Sequence, residues 1–161
     1  MNRRVAGFSL IEVLVVVVIA AIVTGFVVVR FASMPDPSSP RSQLERVAVL
    51  VQAQCEQAVF HSRPRGIRFT GEGIDFWQPS DGGWVRLDRR RADEPRRWQG
   101  QARFRLIVEG YRVSLDDPPD GPQVLCQPLG ELTRFELVAE TDADRWRLVA
   151  TGRADMSIEN L

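Results

Sequence analysis

From Val13 to Val29 the chain carries no charged side chain and is almost all Val, Ile, Leu, Ala and Phe. Extended back to Phe8, the apolar stretch is 22 residues long, interrupted by Ser9 and Glu12. At 1.5 Å per residue that is about 33 Å of helix, enough to cross a bilayer core of roughly 30 Å. Met34-Pro35-Asp36-Pro37-Ser38-Ser39-Pro40 follows, and three prolines in six residues predict a break or an extended spacer. From Ser42 to about Ser62 the apolar positions Leu44, Val47, Ala48, Val51, Cys55, Ala58 and Val59 recur at helical spacing. Ser42 with Glu45 offers a capping box, and Arg46, Gln52, Gln54, Glu56 and Gln57 form the opposite polar face.

Beyond Pro64 the period becomes two. Ile67/Phe69, Ile74/Phe76, Val85/Leu87, Phe104/Leu106/Val108, Tyr111/Val113/Leu115, Val124/Cys126, Phe135/Leu137 and Trp146/Leu148 alternate with polar neighbours. Turn chemistry separates them at Gly71-Glu72-Gly73, Asp81-Gly82-Gly83, Glu109-Gly110 and Asp116 to Pro122. One helix followed by many short strands predicts an α+β fold. It is an N-terminal transmembrane helix, a proline-rich break, and one amphipathic helix packed on a small antiparallel β-sandwich.

Charge changes the picture at the N-terminus. The 161 residues hold 21 basic and 21 acidic side chains, and every basic one is arginine. These averages exclude a disordered tail, a collagen-like repeat and a polytopic membrane protein. Arg3 and Arg4 precede the apolar stretch, so the positive-inside bias keeps the short N-terminus cytoplasmic. A cleaved secretory signal fits poorly, because the apolar run is long and Arg30 stands where a small residue is wanted. Glu12 is the anomaly. A carboxylate within a bilayer costs about 2.5 kcal/mol or more and needs a partner or a purpose.

Gly7-Phe8-Ser9-Leu10-Ile11-Glu12 resembles the processing motif of type IV pilins and type II secretion pseudopilins. In that family a prepilin peptidase cuts after the glycine on the cytoplasmic side and methylates the new N-terminal residue. The resemblance implies cleavage between Gly7 and Phe8, N-methylation of Phe8, and an assembly role for Glu12 at the fifth mature position. The physical logic agrees. Glycine admits the backbone to a protease cleft. A free α-amine in the membrane pairs with a carboxylate of its own or a neighbouring subunit, offsetting two desolvation costs. In many pilins the first helix runs unbroken into the globular domain; the prolines predict that here it does not.

Two later stretches extend the likeness. His61–Asp88, containing Arg63-Pro64-Arg65-Gly66-Ile67-Arg68-Phe69 and Gly82-Gly83-Trp84, resembles the H-type minor pseudopilin of the type II secretion system. So does Gln123–Val138, with Gly130-Glu131-Leu132-Thr133-Arg134-Phe135. The resemblance implies a subunit near the tip of a short periplasmic pseudopilus that helps export folded proteins across the outer membrane. It implies other minor pseudopilins, the major pseudopilin and the prepilin peptidase as partners. The localisation implied is a single pass of the bacterial inner membrane with the C-terminal domain in the periplasm. The domains expected are a leader (1–7), a transmembrane helix (8–30), a linker (31–41) and a periplasmic pilin-like domain (42–161) with its helix over 42–62.

The remaining chemistry is sparse. The single histidine, His61, has no strained nucleophile turn to serve, and a helix-end position beside the dipole explains it. No set of side chains has metal-ligand spacing, and no glycine loop cradles phosphate, so neither catalysis nor a cofactor is expected. Cys55 and Cys126 both fall on expected inward faces; a disulfide and two separate buried thiols both fit. Arg86, Arg89, Arg90, Arg91, Arg96 and Arg97 outnumber Asp88, Asp93 and Glu94 by three, making a basic interaction loop. The interleaved acids and the lack of an aromatic run favour subunit docking over nucleic acid. The alternative is a minor pilin of a type IV pilus that binds DNA during uptake; a plain membrane-anchored binding domain is a third class. Without the leader, 19 basic residues face 21 acidic ones, so the neutral total combines a basic leader with a mildly acidic remainder.

Overall fold

The structure, a computed structural model, describes residues 10–32, 36–87 and 96–161. It divides into two compact units, Met1–Pro35 and Asp36–Leu161. In the first, α1 spans Leu10–Ala32 with Glu12 in its first turn. Every described side chain from Leu10 to Gly25 is exposed. A helix apolar on all sides has no aqueous face. Its lone hydroxyl, Thr24, donates back to the Ala20 carbonyl at 2.7 Å, so it needs no outside partner. Taken over the described side chains, no helix is long and apolar enough to cross a membrane.

The second unit begins with a turn. Asp36 Oδ1 accepts from the Ser38 amide at 2.9 Å and from its hydroxyl at 2.7 Å, bonds that hold the Asp36 carboxyl below its ordinary range. Helix α2 then runs Pro40–His61. Its cap lies three residues earlier than the Ser42–Glu45 pattern predicts. The N-cap is Ser39, whose hydroxyl accepts from the Ser42 amide, while Glu45 instead pairs with Arg41 at 2.8 Å. The reason is Pro40: at the first helical position proline lacks only an amide that would be unpaired anyway. The helix ends on Ser62 in the left-handed region (φ 51°), and the Arg63 amide reaches back to the Ala58 carbonyl.

The expected stripe on α2 needs two corrections. Leu44, Val47, Val51, Cys55 and Ala58 are buried, but Val59 is half exposed and Gln54, assigned to the polar face, is fully buried. Position 54 follows Val51 by three and precedes Ala58 by four, so helical geometry sets it inside the stripe whatever its polarity.

The strands form two antiparallel sheets. The first holds β1 (Arg65–Phe69), β2 (Gly73–Ser80), β3 (Gly83–Leu87), the two-residue β4 (Arg96–Arg97) and β7 (Val124–Cys126) in the order β3-β2-β1-β7. β4 pairs with the opening of β2, on Gly73 and Ile74. The second sheet holds β5 (Arg103–Val108), β6 (Tyr111–Val113), β8 (Phe135–Glu140), β9 (Arg145–Ala150) and β10 (Met156–Asn160), ordered β10-β9-β8-β5-β6. All eight expected alternating stretches contribute strands, although Leu115 lies beyond β6. β4 and β10 carry too few apolar residues to announce themselves.

Inward faces of both sheets and the α2 stripe close on one core. Phe69 of β1 and Phe135 of β8 bring the sheets together, their ring centres 5.6 Å apart. Two buried or half-buried glutamines lock chain segments that have no regular pairing. Gln123 donates to the Phe69 carbonyl and accepts from the Phe69 amide, extending the β1–β7 ladder by one side-chain rung. Gln43 donates to the Ser38 carbonyl at 3.1 Å and accepts from the Gln99 amide at 2.8 Å, tying the start of the domain to the segment after β4. Replacing Gln43 by leucine leaves both backbone groups unpaired. The expected loss is about 1–3 kcal/mol, measured by chemical unfolding, with faster amide exchange at Gln99.

Candidate functional site

Two regions bear on function, the N-terminal helix and the outer surfaces of the β domain. Gly7 and Phe8, the expected processing pair, lie outside the described residues, as do Arg89, Arg90 and Arg91. Glu12 sits in the first turn of α1 among exposed Leu10, Ile11 and Val13. An acid at a helix N-terminus complements the dipole.

In the β domain the flanks of the arginine loop are described. Arg86 is on β3 opposite Trp77, and Arg97 is on β4 opposite Gly73. Leu87 and Arg96 lie opposite Phe76 and Ile74, so both ends of the loop meet the same edge of β2. Arg86 and Arg97 are exposed and Arg96 is half buried.

Cys55 of α2 and Cys126 of β7 are joined by a disulfide, with Cα atoms 4.9 Å apart and both side chains buried. Of the two arrangements open to the sequence, the fold adopts the bonded one. His61 stands at the end of α2, where its Nδ1–H donates to the Gln57 carbonyl at 3.0 Å. Among the described residues no group of His, Cys, Asp and Glu is arranged to hold a metal ion.

The two segments that resemble pseudopilins have structural reasons for their residues. In Arg65–Phe69 a Cβ on Gly66 would collide with the Pro122 ring, so glycine lets Pro122 pack directly on that strand. Arg68 donates to both carboxylate oxygens of Asp75, from Nε at 3.2 Å and from Nη2 at 3.0 Å, and lies over the Trp77 ring. In Gly130–Phe135, Gly130 takes a φ of 84° to turn the chain, and buried Leu132 bridges Cys126. Thr133 then exchanges bonds with both backbone groups of Leu125, fastening β7 to the chain entering β8.

A feature not anticipated is an ion-pair lattice on the outer face of the second sheet. Glu140 accepts from Arg105 at 3.0 Å and lies 3.4 Å from Arg145 and 3.9 Å from Arg103. Arg147 spans Glu159 at 2.7 Å and Glu136 at 3.3 Å. The Glu159 bond, helped by Glu136, holds the Arg147 guanidinium more firmly protonated than usual. The signal was available: Arg103/Arg105 and Arg145/Arg147 place like charges two apart, the strand period, with Glu136 and Glu140 on the strand between them.

Comparison with known proteins bears on both regions. Residues 2–28 match the prokaryotic N-terminal methylation motif. The type II secretion system protein H of Pectobacterium carotovorum is 26% identical over 88% of this chain and 84% of its own. Protein H of Aeromonas hydrophila is 25% identical over 96% and 91%. Among solved structures, the crystal structure of the minor pseudopilin EpsH from Vibrio cholerae superposes with a TM-score of 0.60 at 16% identity, covering 74% of this chain and 92% of its own. The solution structure of E. coli GspH gives 0.56 at 20% identity, covering 76% and 92%. A methylation motif at the start, likeness along nearly the whole chain to type II secretion protein H, and the α+β fold shared with EpsH and GspH converge: the chain is similar to type IV pilin-like minor pseudopilins of the H type.

Proposed function

We propose that the chain is processed between Gly7 and Phe8, methylated on Phe8, and built as a minor pseudopilin into a short periplasmic fibre, near its tip. The observation that carries this is the combination of the N-terminal methylation motif with full-length similarity to secretion protein H. Residues 8–30 act as a membrane span before assembly and as the fibre's apolar stem afterwards. Apolar exposure along the described side chains of α1, from Leu10 to Val23, supports this, because such a helix has to be covered by lipid or by neighbouring subunits. Glu12 takes up the methylated amine of a subunit in the membrane, so that two groups costly to desolvate neutralise one another.

The β domain, periplasmic in this reading, selects neighbours among the other minor pseudopilins and the major one. Its work is assembly and not catalysis, and the arginine loop is one of its docking surfaces. The partner processing enzyme is a prepilin peptidase acting on the cytoplasmic side.

Intact-mass analysis of the mature protein is expected to show loss of residues 1–7 and gain of one methyl group; an unprocessed chain overturns the reading. Glu12→Val is expected to leave processing intact while abolishing fibre incorporation and exoprotein secretion. Deleting the gene is expected to stop secretion and spare twitching and DNA uptake. The reverse phenotype identifies a minor pilin of a type IV pilus.

A further inference from the structure

The β5–β6 hairpin turns at Glu109 and Gly110, both at positive φ, so Val108 and Tyr111 form its first hydrogen-bonded pair. The ladder continues to Leu106–Val113 and stops. β5 itself extends back to Arg103, paired throughout with β8. After Val113 the other strand swings away, and the Leu115 carbonyl accepts from the Gly71 amide at 2.6 Å. Among the described residues, Arg103, Phe104 and Arg105 therefore have a neighbouring strand on one side only. In an antiparallel ladder alternate residues bond to the same neighbour. Phe104 shares the phase of Leu106 and Val108, so its N–H and C=O point to the open side.

A groove of about 550 Å³ lies along that side, lined by Phe104, Arg105, Arg112, Ser114 and Leu115 among others. Three guanidiniums border it, those of Arg103, Arg105 and Arg112, against the carboxylates of Glu140 and Asp116. Glu140 is already engaged by Arg105, Arg103 and Arg145, and Arg103 also meets Asp142 at 3.4 Å. Arg112 is exposed and makes no ion pair among the described residues. Unused backbone bonds and the uncommitted guanidinium of Arg112 thus meet in one place.

We propose that the open edge of β5 is a docking site for an extended acidic segment of a partner protein. The segment adds as a short antiparallel or parallel strand beside Arg103–Arg105 and sets a carboxylate against Arg112. Backbone bonds supply the attachment and Arg112 selects the sign of charge. The inference concerns the β domain alone and does not rest on the fibre reading.

A tethered strand tests it in the full-length protein in detergent micelles. Asn160 is opposite Trp146, Trp146 opposite Ala139, and Ala139 opposite Phe104, so the C-terminus lies level with the open edge. The span to the new strand is four strand spacings, about 19 Å. A Gly/Ser linker of about 12 residues has a matching end-to-end distance and gives a millimolar effective concentration. The chain is extended by this linker and the strand Thr-Glu-Val-Glu-Val-Thr, and amide exchange is followed at Phe104. Exchange is expected to slow at least tenfold relative to the unextended protein. Arg112→Glu, a change at an exposed side chain, is expected to remove that protection, as is lysine in place of both strand glutamates. Equal protection with the lysine strand overturns the proposal, and so does unchanged exchange with the glutamate strand. Phe104 protection that grows with concentration in the unextended protein also overturns it, by assigning the edge to a second copy.

Discussion

Breaking the Cys55–Cys126 bond is expected to lower the stability of the domain over residues 36–161 by about 4 kcal/mol. The two cysteines are 71 residues apart, and the chain-entropy cost of closing so long a loop in the unfolded state gives that magnitude. The bond ties the middle of α2 to β7, the edge strand beside β1, and so joins helix and sheet where the β1–β7 ladder is only three residues long. Both sulfurs are buried, so alanine is the better replacement; serine would add the cost of an unpaired hydroxyl. The Cys55→Ala/Cys126→Ala domain is expected to unfold about 10–20 °C lower, and the parent domain should shift likewise under a reductant. Unchanged unfolding of the parent on reduction would show that the thiols are not linked.

Phe69→Ala is expected to cost about 3–5 kcal/mol, as is Phe135→Ala. Phe69 is fully buried and Phe135 nearly so, and they come from different sheets. Truncating either opens a cavity where the layers meet, and rigid paired strands on both sides cannot collapse to fill it. Because the rings touch, the two losses should not add. A double-mutant cycle by chemical unfolding is expected to show about 0.5–1.5 kcal/mol of coupling. Purely additive losses would mean that the rings contribute to separate parts of the core.

The stability of this domain thus rests on contacts between residues far apart in sequence, while much of its outline is local. Three prolines between Pro35 and Pro40 mark the end of one helix, yet Pro40 itself belongs to the next, because proline suits a first helical turn as well as it breaks a later one. Period-two alternation located most strands. It missed β10, whose Met156 and Ile158 are only half buried, and β4, which is too short to show any period. Gln54 is buried despite its polarity because helical position, three residues after Val51 and four before Ala58, sets the face it occupies.

The sequence by itself determined the parts of this protein that follow from neighbours along the chain. These are a continuous apolar helix with one acid near its start, a processing-type motif ahead of it, a proline break, and an α+β order of elements. Each rests on spacing or composition within a few residues, where backbone geometry and hydration act directly. Only the tertiary structure decided which cysteine faced which, how Gln43 and Gln123 found backbone partners, and which carboxylate each arginine of the outer lattice met. It also decided where the β5–β6 ladder stops, leaving part of β5 with a paired strand on one side only among the described residues. Those outcomes depend on strand order and register between segments tens of residues apart. Local patterns carry a face and a period but not the identity of the facing strand.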